Sequence, residues 1–274
     1  MNIALCFCVR NCEEYIPNIL KNIELVKTLN IKVFCIFVYD NCSDNSGILL
    51  KNYQKKYSKT VILKTIINNS RFRTERIAKA RNECLNILYN NLKDISFHIM
   101  VDCDTRCASK WDVSIIEKYL NNFDNDDWDC ISFNRNDYYD IWALLYDDFR
   151  HPCWGFGDNS LKVWNIMKNI IVDKLNNSHT NSIEVISAFN GFCIYKTDKF
   201  KGLRYKGNYL DIGNLITPEE NRNTVTALKK YNINTNLYCY TPWKTLECCE
   251  HIYYHLNAHK KGLKIKISKF HIID

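Results

Sequence analysis

In its amino-terminal part the chain alternates between short, uncharged apolar runs and longer stretches whose apolar residues recur at helical spacing. That alternation constrains the fold more than any single residue does. Residues 3–9 read as a buried strand, and residues 15–29 carry Ile16, Ile19, Leu20, Ile23 and Val26 at the spacing of one helix face. Residues 32–39 are a second strand, a helix follows to about Tyr57, and residues 59–67 are a third strand. A helix from Thr74, with Ile77, Ala80, Arg81, Cys84, Leu85 and Leu88 at helical spacing, leads into a fourth apolar run at residues 97–101. Repeated strand, helix, strand is the opening of a parallel α/β sheet.

The rest is less regular. Residues 112–123 and 161–176 carry helical patterns, residues 128–133 and 191–195 are strand-like, and a helix from about Cys249 precedes a last strand at residues 263–267. Residues 137–159 are aromatic-rich and irregular, and with Gly155 and Gly157 they are expected to form a mobile loop. The 274 residues contain no internal repeat, and 8 Gly and 4 Pro are too few for a long flexible linker. The expectation is one α/β domain over 1–274, with a mixed, mostly parallel central sheet flanked by helices and divisible into halves 1–110 and 111–274.

In a parallel sheet the strands' carboxyl ends share one edge, and ligands bind outside that edge. Here those ends are polar: Val9-Arg10-Asn11, Asp40-Asn41 and Asp102-Cys103-Asp104. Two carboxylates one residue apart on an extended chain end can converge on one hard cation, and Mg²⁺ or Mn²⁺ shared with substrate phosphates is the expected chemistry. Alone, an Asp-x-Asp also fits a solvated loop. Its place beside Asp40 shifts the balance: Asp40 can meet a base or ribose while Asp102 and Asp104 hold a metal for a diphosphate. Arg76 and Arg81, on neighbouring turns of one helix, offer planar charged forks to phosphate or base.

The formal charge of +7 fits an anionic small ligand. It is spread along the chain rather than gathered into a basic, aromatic-interleaved stripe, which argues against nucleic acid as partner. No apolar segment approaches the ~20 residues that span a bilayer, and the first residues do not form a signal-peptide pattern. The 14 cysteines lie mostly inside apolar runs without any Cys-x-x-Cys pair, as small hydrophobes do in a reducing compartment. A cytoplasmic location is expected. Richness in Lys, Asn and Ile suggests an A+T-rich genome, so host cytoplasm or virion if the source is a virus.

These features together resemble a known family, the nucleotide-sugar glycosyltransferases of the GT-A fold, near inverting family 2 and its viral or capsule-type relatives. The resemblance rests on Val9-Arg-Asn-Cys-Glu-Glu-Tyr15 after the first strand, Asp40-Asn-Cys-Ser-Asp44 after the second, the triplet Ala80-Arg81-Asn82, and Asp102-Cys-Asp104. It covers roughly the first 110 residues. It implies a metal-dependent, inverting transfer of sugar from a nucleotide diphosphate sugar, most simply a UDP-sugar, to a hydroxyl of a glycan or glycoprotein acceptor. The amino-terminal half would bind the donor through Val9, Arg10, Asn11, Asp40, Asn41, Arg76, Arg81, Asp102 and Cys103. Asp102 and Asp104 would hold Mn²⁺ or Mg²⁺.

Where the family has a late Glu-Asp pair, this chain has Glu250-His251. Glu250 is then the first candidate for catalytic base, His251 the second and Glu247 the third. His251, one helical turn from His255, is also a candidate third metal ligand. Asn190-Gly191, opening a strand-like run, would lie beside acceptor and sugar, with Trp154, Trp142 and Trp243 as stacking surfaces. Two other classes remain: a sugar-1-phosphate nucleotidyltransferase, against which the absence of glycine in Arg10-Asn-Cys-Glu-Glu counts, and a non-catalytic sugar- or nucleic-acid-binding module. Oligomeric state is not legible.

Overall fold

The structure is a computed structural model, and it describes residues 1–121, 127–147, 149–233 and 246–273. Eight strands form one sheet: β1 (Asn2–Val9), β2 (Lys32–Asp40), β3 (Val61–Ile66), β4 (Ile95–Asp102), β5 (Cys130–Asn134), β6 (Ser182–Val185), β7 (Phe192–Lys196) and β8 (Ile265–His271), in the order β3-β2-β1-β4-β7-β5-β8-β6. The pairs β1–β2, β2–β3, β1–β4 and β5–β8 are parallel, whereas β7 runs antiparallel to both β4 and β5, and β6 is antiparallel to β8. The expected α/β class, a mixed and mostly parallel sheet flanked by helices, is the one observed. Strands from both halves of the chain share the sheet, because β7 pairs with β4 along Phe97–Val101.

Among the described residues eight α-helices accompany the sheet: α1 (Ile16–Val26), α2 (Ser46–Lys56), α3 (Arg73–Asn91), α4 (Val113–Asn121), α5 (Ser160–Asn177), α6 (Tyr209–Gly213), α7 (Pro218–Lys229) and α8 (Glu250–Lys260). The central strands β1, β4, β5 and β7 are mainly apolar on both faces, as buried strands must be. Ala4, Cys6, Ile36 and Val38 pack with α3, α5 and α8, while Ile3, Leu5, Phe7 and Phe37 pack with α1, α2 and α4.

Three departures from expectation have local causes. Strand β6 is four residues long, too short for a visible alternation. Helix α7 is polar overall, but Thr217 and Glu220 form a reciprocal capping box with Pro at its start, a signal the sequence did carry. Residues 137–159, expected to be loose, form three 3₁₀ turns in which Tyr138, Ile141, Leu144, Leu145 and Cys153 are buried. Gly155 is not a hinge there: a Cβ at that position would collide with the His151 ring and the Tyr209 hydroxyl.

Candidate active site

The carboxyl ends of β1, β2 and β4 lie side by side, with Val9 opposite Tyr39 and Cys8 opposite Asp102. Strand order reverses at β1, whose neighbours are β2 and β4, so the crevice there is a topological switch point. Both β1 and β2 leave the sheet through asparagines in the left-handed region, Asn11 (φ 52°) and Asn41 (φ 25°), a conformation asparagine tolerates well. The two turns then clasp each other. Asn11 Nδ2 donates to Ser43 Oγ at 3.1 Å, and Ser43 N donates to Asn11 Oδ1 at 2.8 Å. Glu13 N donates to Asp44 Oδ2 at 2.9 Å, and Asn45 donates through N and Nδ2 to Glu13 at 2.9 and 2.7 Å. Much of the polar pattern after these strands therefore holds two loops together and presents Arg10 and Asp40 to the crevice, where Arg10 Nη1 lies 3.7 Å from Asp40 Oδ2.

The crevice is a cleft of about 350 Å³ lined by Val9, Arg10, Asn11, Asp40, Arg76, Asp102, Cys103 and Asp104, together with Tyr15 and Arg73. Arg76 Nη1 donates to the carbonyl of Ser70 at 2.8 Å, which fixes the arginine at the cleft wall. Cys103 is buried, and its thiol is hydrogen-bonded with that of Cys12. Asn41 is exposed, in the turn just beyond Asp40.

A second cleft, of about 280 Å³, shares Arg73, Ile77, Asp102 and Asp104 with the first and continues to Arg81, Asp140, Glu250 and His251. Trp142, Trp154 and Trp164 also line it. The Asp-x-Asp thus stands where two clefts meet. Arg81 ties the clefts together. Its guanidinium, buried between the rings of Phe189 and Tyr205, donates through Nη2 to Asp102 Oδ1 and through Nε to Glu250 Oε1, each at 2.8 Å. Burial opposes its charge, but the two carboxylates outweigh burial and hold the guanidinium protonated.

Asp104 accepts the backbone N–H groups of Arg106 and Cys107 on Oδ1, at 2.9 and 3.1 Å, which fixes its carboxylate at the strand end. Burial, and then the charge of Asp102, raise its pKa above the usual carboxylate range. Two half-buried carboxylates that repel each other at a strand end, one oriented by Arg81 and one by backbone amides, fit a hard divalent cation.

On the other side, α8 begins at Glu250, so Glu250 and His251 sit in its first turn. Glu250 is 4% exposed and engaged with Arg81. His251 stacks on Phe189 with ring centroids 3.7 Å apart. Burial first, then the charge of Arg81, depress its pKa, so it is a neutral imidazole. Its Nε2 has no hydrogen-bond partner among the described residues. His255 lies deeper, between Tyr195 Oη (3.0 Å from Nε2) and Ser187 Oγ (3.2 Å from Nδ1). Glu247 Oε1 accepts the Thr74 N–H at 3.2 Å, at the start of α3.

Asn190 is 2% exposed, and its amide is committed to backbone: Nδ2 donates to Phe133 O at 2.9 Å, and Oδ1 accepts from Tyr139 N and Asp140 N, each at 3.4 Å. Gly191 has φ 85°, and a Cβ there would come within 2.6 Å of Tyr139 Oη and 2.7 Å of Cys107 Sγ. Trp243 lies outside the described residues.

Sequence reasoning missed Arg73, Asp140 and Trp164 as cleft residues. Asp140 carried a usable signal, an acid directly before Ile141-Trp142-Ala143, where its carboxylate caps a turn by accepting Ala143 N–H. Arg73 and Trp164 carried none, since both look like ordinary helix-surface residues.

Fold and clefts define an α/β protein with a mixed, mostly parallel sheet and an acidic pair at its topological switch point. No family model and no curated protein sequence matches the chain. Among solved structures it is similar to Staphylococcus aureus TarS residues 1–349, at 15% identity and a TM-score of 0.46, over 100% of this chain and 59% of that one. The same protein in complex with UDP-GlcNAc matches at 15% identity, TM-score 0.46, over 100% of this chain and 57% of that one. The mannosyltransferase PcManGT from Pyrobaculum calidifontis, in complex with GDP-Man and Mn²⁺, matches at 11% identity and TM-score 0.41, over 74% of this chain and 47% of that one. This chain therefore spans little more than half the length of the TarS chain. These distant likenesses add nothing to what the sheet order and the cleft geometry establish on their own.

Proposed function

We propose that this chain is a metal-dependent glycosyltransferase that moves a sugar from a nucleotide diphosphate sugar to an acceptor hydroxyl. The observation that carries the reading is the position of Asp102 and Asp104, at the junction of an arginine- and aspartate-lined cleft at the strand ends and a tryptophan-lined cleft. In this reading the first cleft takes the nucleotide, with Asp40 toward base or ribose and Arg10, Arg73 and Arg76 toward phosphate. Asp102 and Asp104 hold Mn²⁺ or Mg²⁺, which neutralises charge on the leaving diphosphate. Arg81 fixes the Asp102 carboxylate and adds positive charge beneath the same point.

The transferred sugar then lies at the junction and the acceptor in the second cleft, where the tryptophan faces suit the apolar faces of sugar rings. Glu250 and His251 border the acceptor side, and Asn190-Gly191 support its wall. Attack from that side, opposite the diphosphate, gives an inverting displacement. A glycan or glycoprotein is the acceptor class, and a uridine diphosphate sugar is the first donor to test. No helix among the described residues is long and apolar enough to cross a membrane, and the cysteines described there are free thiols, mostly buried; a cytoplasmic enzyme is the location to test.

The test is donor binding and slow donor hydrolysis across a panel of UDP- and GDP-sugars, with and without Mn²⁺. Saturable, Mn²⁺-dependent binding that is lost in Asp104→Ala supports the reading. No binding of any donor, or full retention by Asp104→Ala, sinks it. Formation of a nucleotide sugar from a nucleoside triphosphate and a sugar phosphate would favour a nucleotidyltransferase instead.

A further inference from the structure

Four carboxylates face the second cleft, Asp102, Asp104, Asp140 and Glu250, and they differ in what already occupies them. Asp102 and Glu250 both accept from Arg81 at 2.8 Å. A proton placed on either would disrupt a buried ion pair, and leaving a buried charge uncompensated is costly. Asp104 is bound to the backbone on one oxygen and paired with Asp102 toward a cation. Among the described residues neither Asp104 nor Asp140 forms an ion pair, and of these two only Asp140 lies outside the Asp-x-Asp.

Its surroundings hold it in place without neutralising it. Oδ1 accepts from Ala143 N at 3.3 Å and Oδ2 from Asn190 N at 3.2 Å, two long contacts to neutral donors. The Asn190 side chain fixes the main chain of the same turn through Tyr139 N and Asp140 N. Trp142 lies within the turn, so the carboxylate and an indole reach the cleft from one element.

We propose that Asp140, rather than Glu250, accepts the proton of the acceptor hydroxyl, an inference that rests on the transferase reading above. In the step, the acceptor oxygen forms its bond to the anomeric carbon while its proton moves to an Asp140 oxygen. The bond from the anomeric carbon to the diphosphate breaks, and its electron pair leaves on the diphosphate oxygen. Burial first, then the charges of Asp102 and Glu250, push the pKa of Asp140 up to about 7, which suits a group that takes and releases a proton near neutral pH. The charged and titratable groups lining the cleft with it are Asp102 at the end of β4 and Asp104 just beyond, Arg73 and Arg81 of α3, Tyr139 of its own segment, Cys249 before α8, and Glu250 and His251 of α8.

The experiment uses Mn²⁺-loaded full chain and follows hydrolysis of whichever nucleotide sugar the wild type binds, water standing in for the acceptor. The variants are Asp140→Asn, Asp140→Glu and Glu250→Gln, each with donor Kd, kcat and the pH profile of kcat. Asp140→Asn is expected to lose about 10²- to 10⁴-fold in kcat while donor Kd stays within about threefold. The acidic limb of the profile should vanish in Asp140→Asn and persist in Glu250→Gln. Asp140→Glu should recover part of the rate with a shifted limb, which serves as the readout if the asparagine variant does not fold. Unchanged kcat in Asp140→Asn, loss of its donor binding in parallel with rate, or loss of the limb in Glu250→Gln alone overturns the proposal while leaving the transferase reading intact. A wild type that binds and cleaves no donor overturns both.

Discussion

The two clefts share Asp102, Asp104, Arg73 and Ile77, yet they are built in opposite ways. The first is made by strand ends and the short turns that follow them, and Arg10 at its rim is half exposed. The second is closed by groups far apart in sequence, with Arg81 reaching Glu250 across 169 residues, and that central ion pair is buried. Charges near water are replaceable at small cost in stability, whereas charges in the interior are bound to one another's presence. The first cleft should therefore separate binding from folding cleanly, and the second should not.

Arg81→Met is the sharpest way to break that contrast. It leaves the buried Glu250 carboxylate, and Asp102 beside it, without their shared cation, and removing one member of a buried ion pair costs about 3–5 kcal/mol. Urea unfolding of the metal-free protein measures it. A loss below about 1 kcal/mol would mean that the second cleft is no more interdependent than the first. Arg81→Lys keeps the charge but not the fork, and should fall between.

Gly191→Ala comes next. The left-handed backbone and the approach of Tyr139 Oη and Cys107 Sγ predict a loss of about 2–3 kcal/mol, from strain and overpacking together. Gly213 is the control. It ends α6 with nothing within 4 Å of a Cβ, so Gly213→Ala should leave stability unchanged or raise it by up to about 1 kcal/mol. Equal losses at the two positions would remove the close packing behind Gly191 as the cause.

The same contrast explains what was legible in the sequence. Strands β1 to β4 announced themselves because each is a mainly apolar run followed by polar or turn-forming residues. Asp40 and Asp102 could be placed on one edge because parallel strands must share it. Sequence pattern did not separate the residues that clasp the loops, Asn11, Glu13, Ser43 and Asp44, from those that face the cleft, since both sets are polar and adjacent. The second cleft was barely legible. Asp140 and Asn190 meet because β7 pairs antiparallel with β5, and nothing local in either segment encodes that pairing. Arg81 was singled out for phosphate or base. Its observed partners, Asp102 and Glu250, are a consequence of α8 packing against α3.

A third prediction uses pH to compare the clefts. Asp140 has its pKa raised from 3.8 to about 7. Below about pH 4 it is protonated in folded and unfolded chains alike, and it costs nothing. As pH rises from about 4 to about 7 the unfolded chain releases that proton first, so the advantage conferred by the folded site's higher proton affinity is progressively lost. Asp140→Asn has no such ionisation. Relative to wild type the metal-free variant should gain stability across that window, by about 1–2 kcal/mol in total after allowance for water in the cleft, and then hold its gain above pH 7. Paired unfolding curves at about pH 4.5 and 6, inside the window, and at about pH 7.5, above it, measure the gap. A gap that shrinks with rising pH would mean that the carboxylate is better solvated than its position suggests.

The smallest stability effect is expected in the first cleft. Arg10→Ala removes an ion pair of 3.7 Å whose arginine side chain is 50% exposed, and such pairs contribute about 0–1 kcal/mol. Its unfolding curve should nearly overlay the wild type. Nucleotide affinity should nevertheless fall by about tenfold, because a cation at the strand ends is lost and Asp40 is left to repel phosphate. The affinity loss should shrink in high salt, as attraction between exposed charges is screened. If Arg10→Ala instead unfolded the protein as readily as Arg81→Met, the strand-end turns would be as interdependent as the buried cleft. The loop clasp of Asn11, Ser43 and Asp44 would then owe its rigidity to the ion pair as well as to its own hydrogen bonds.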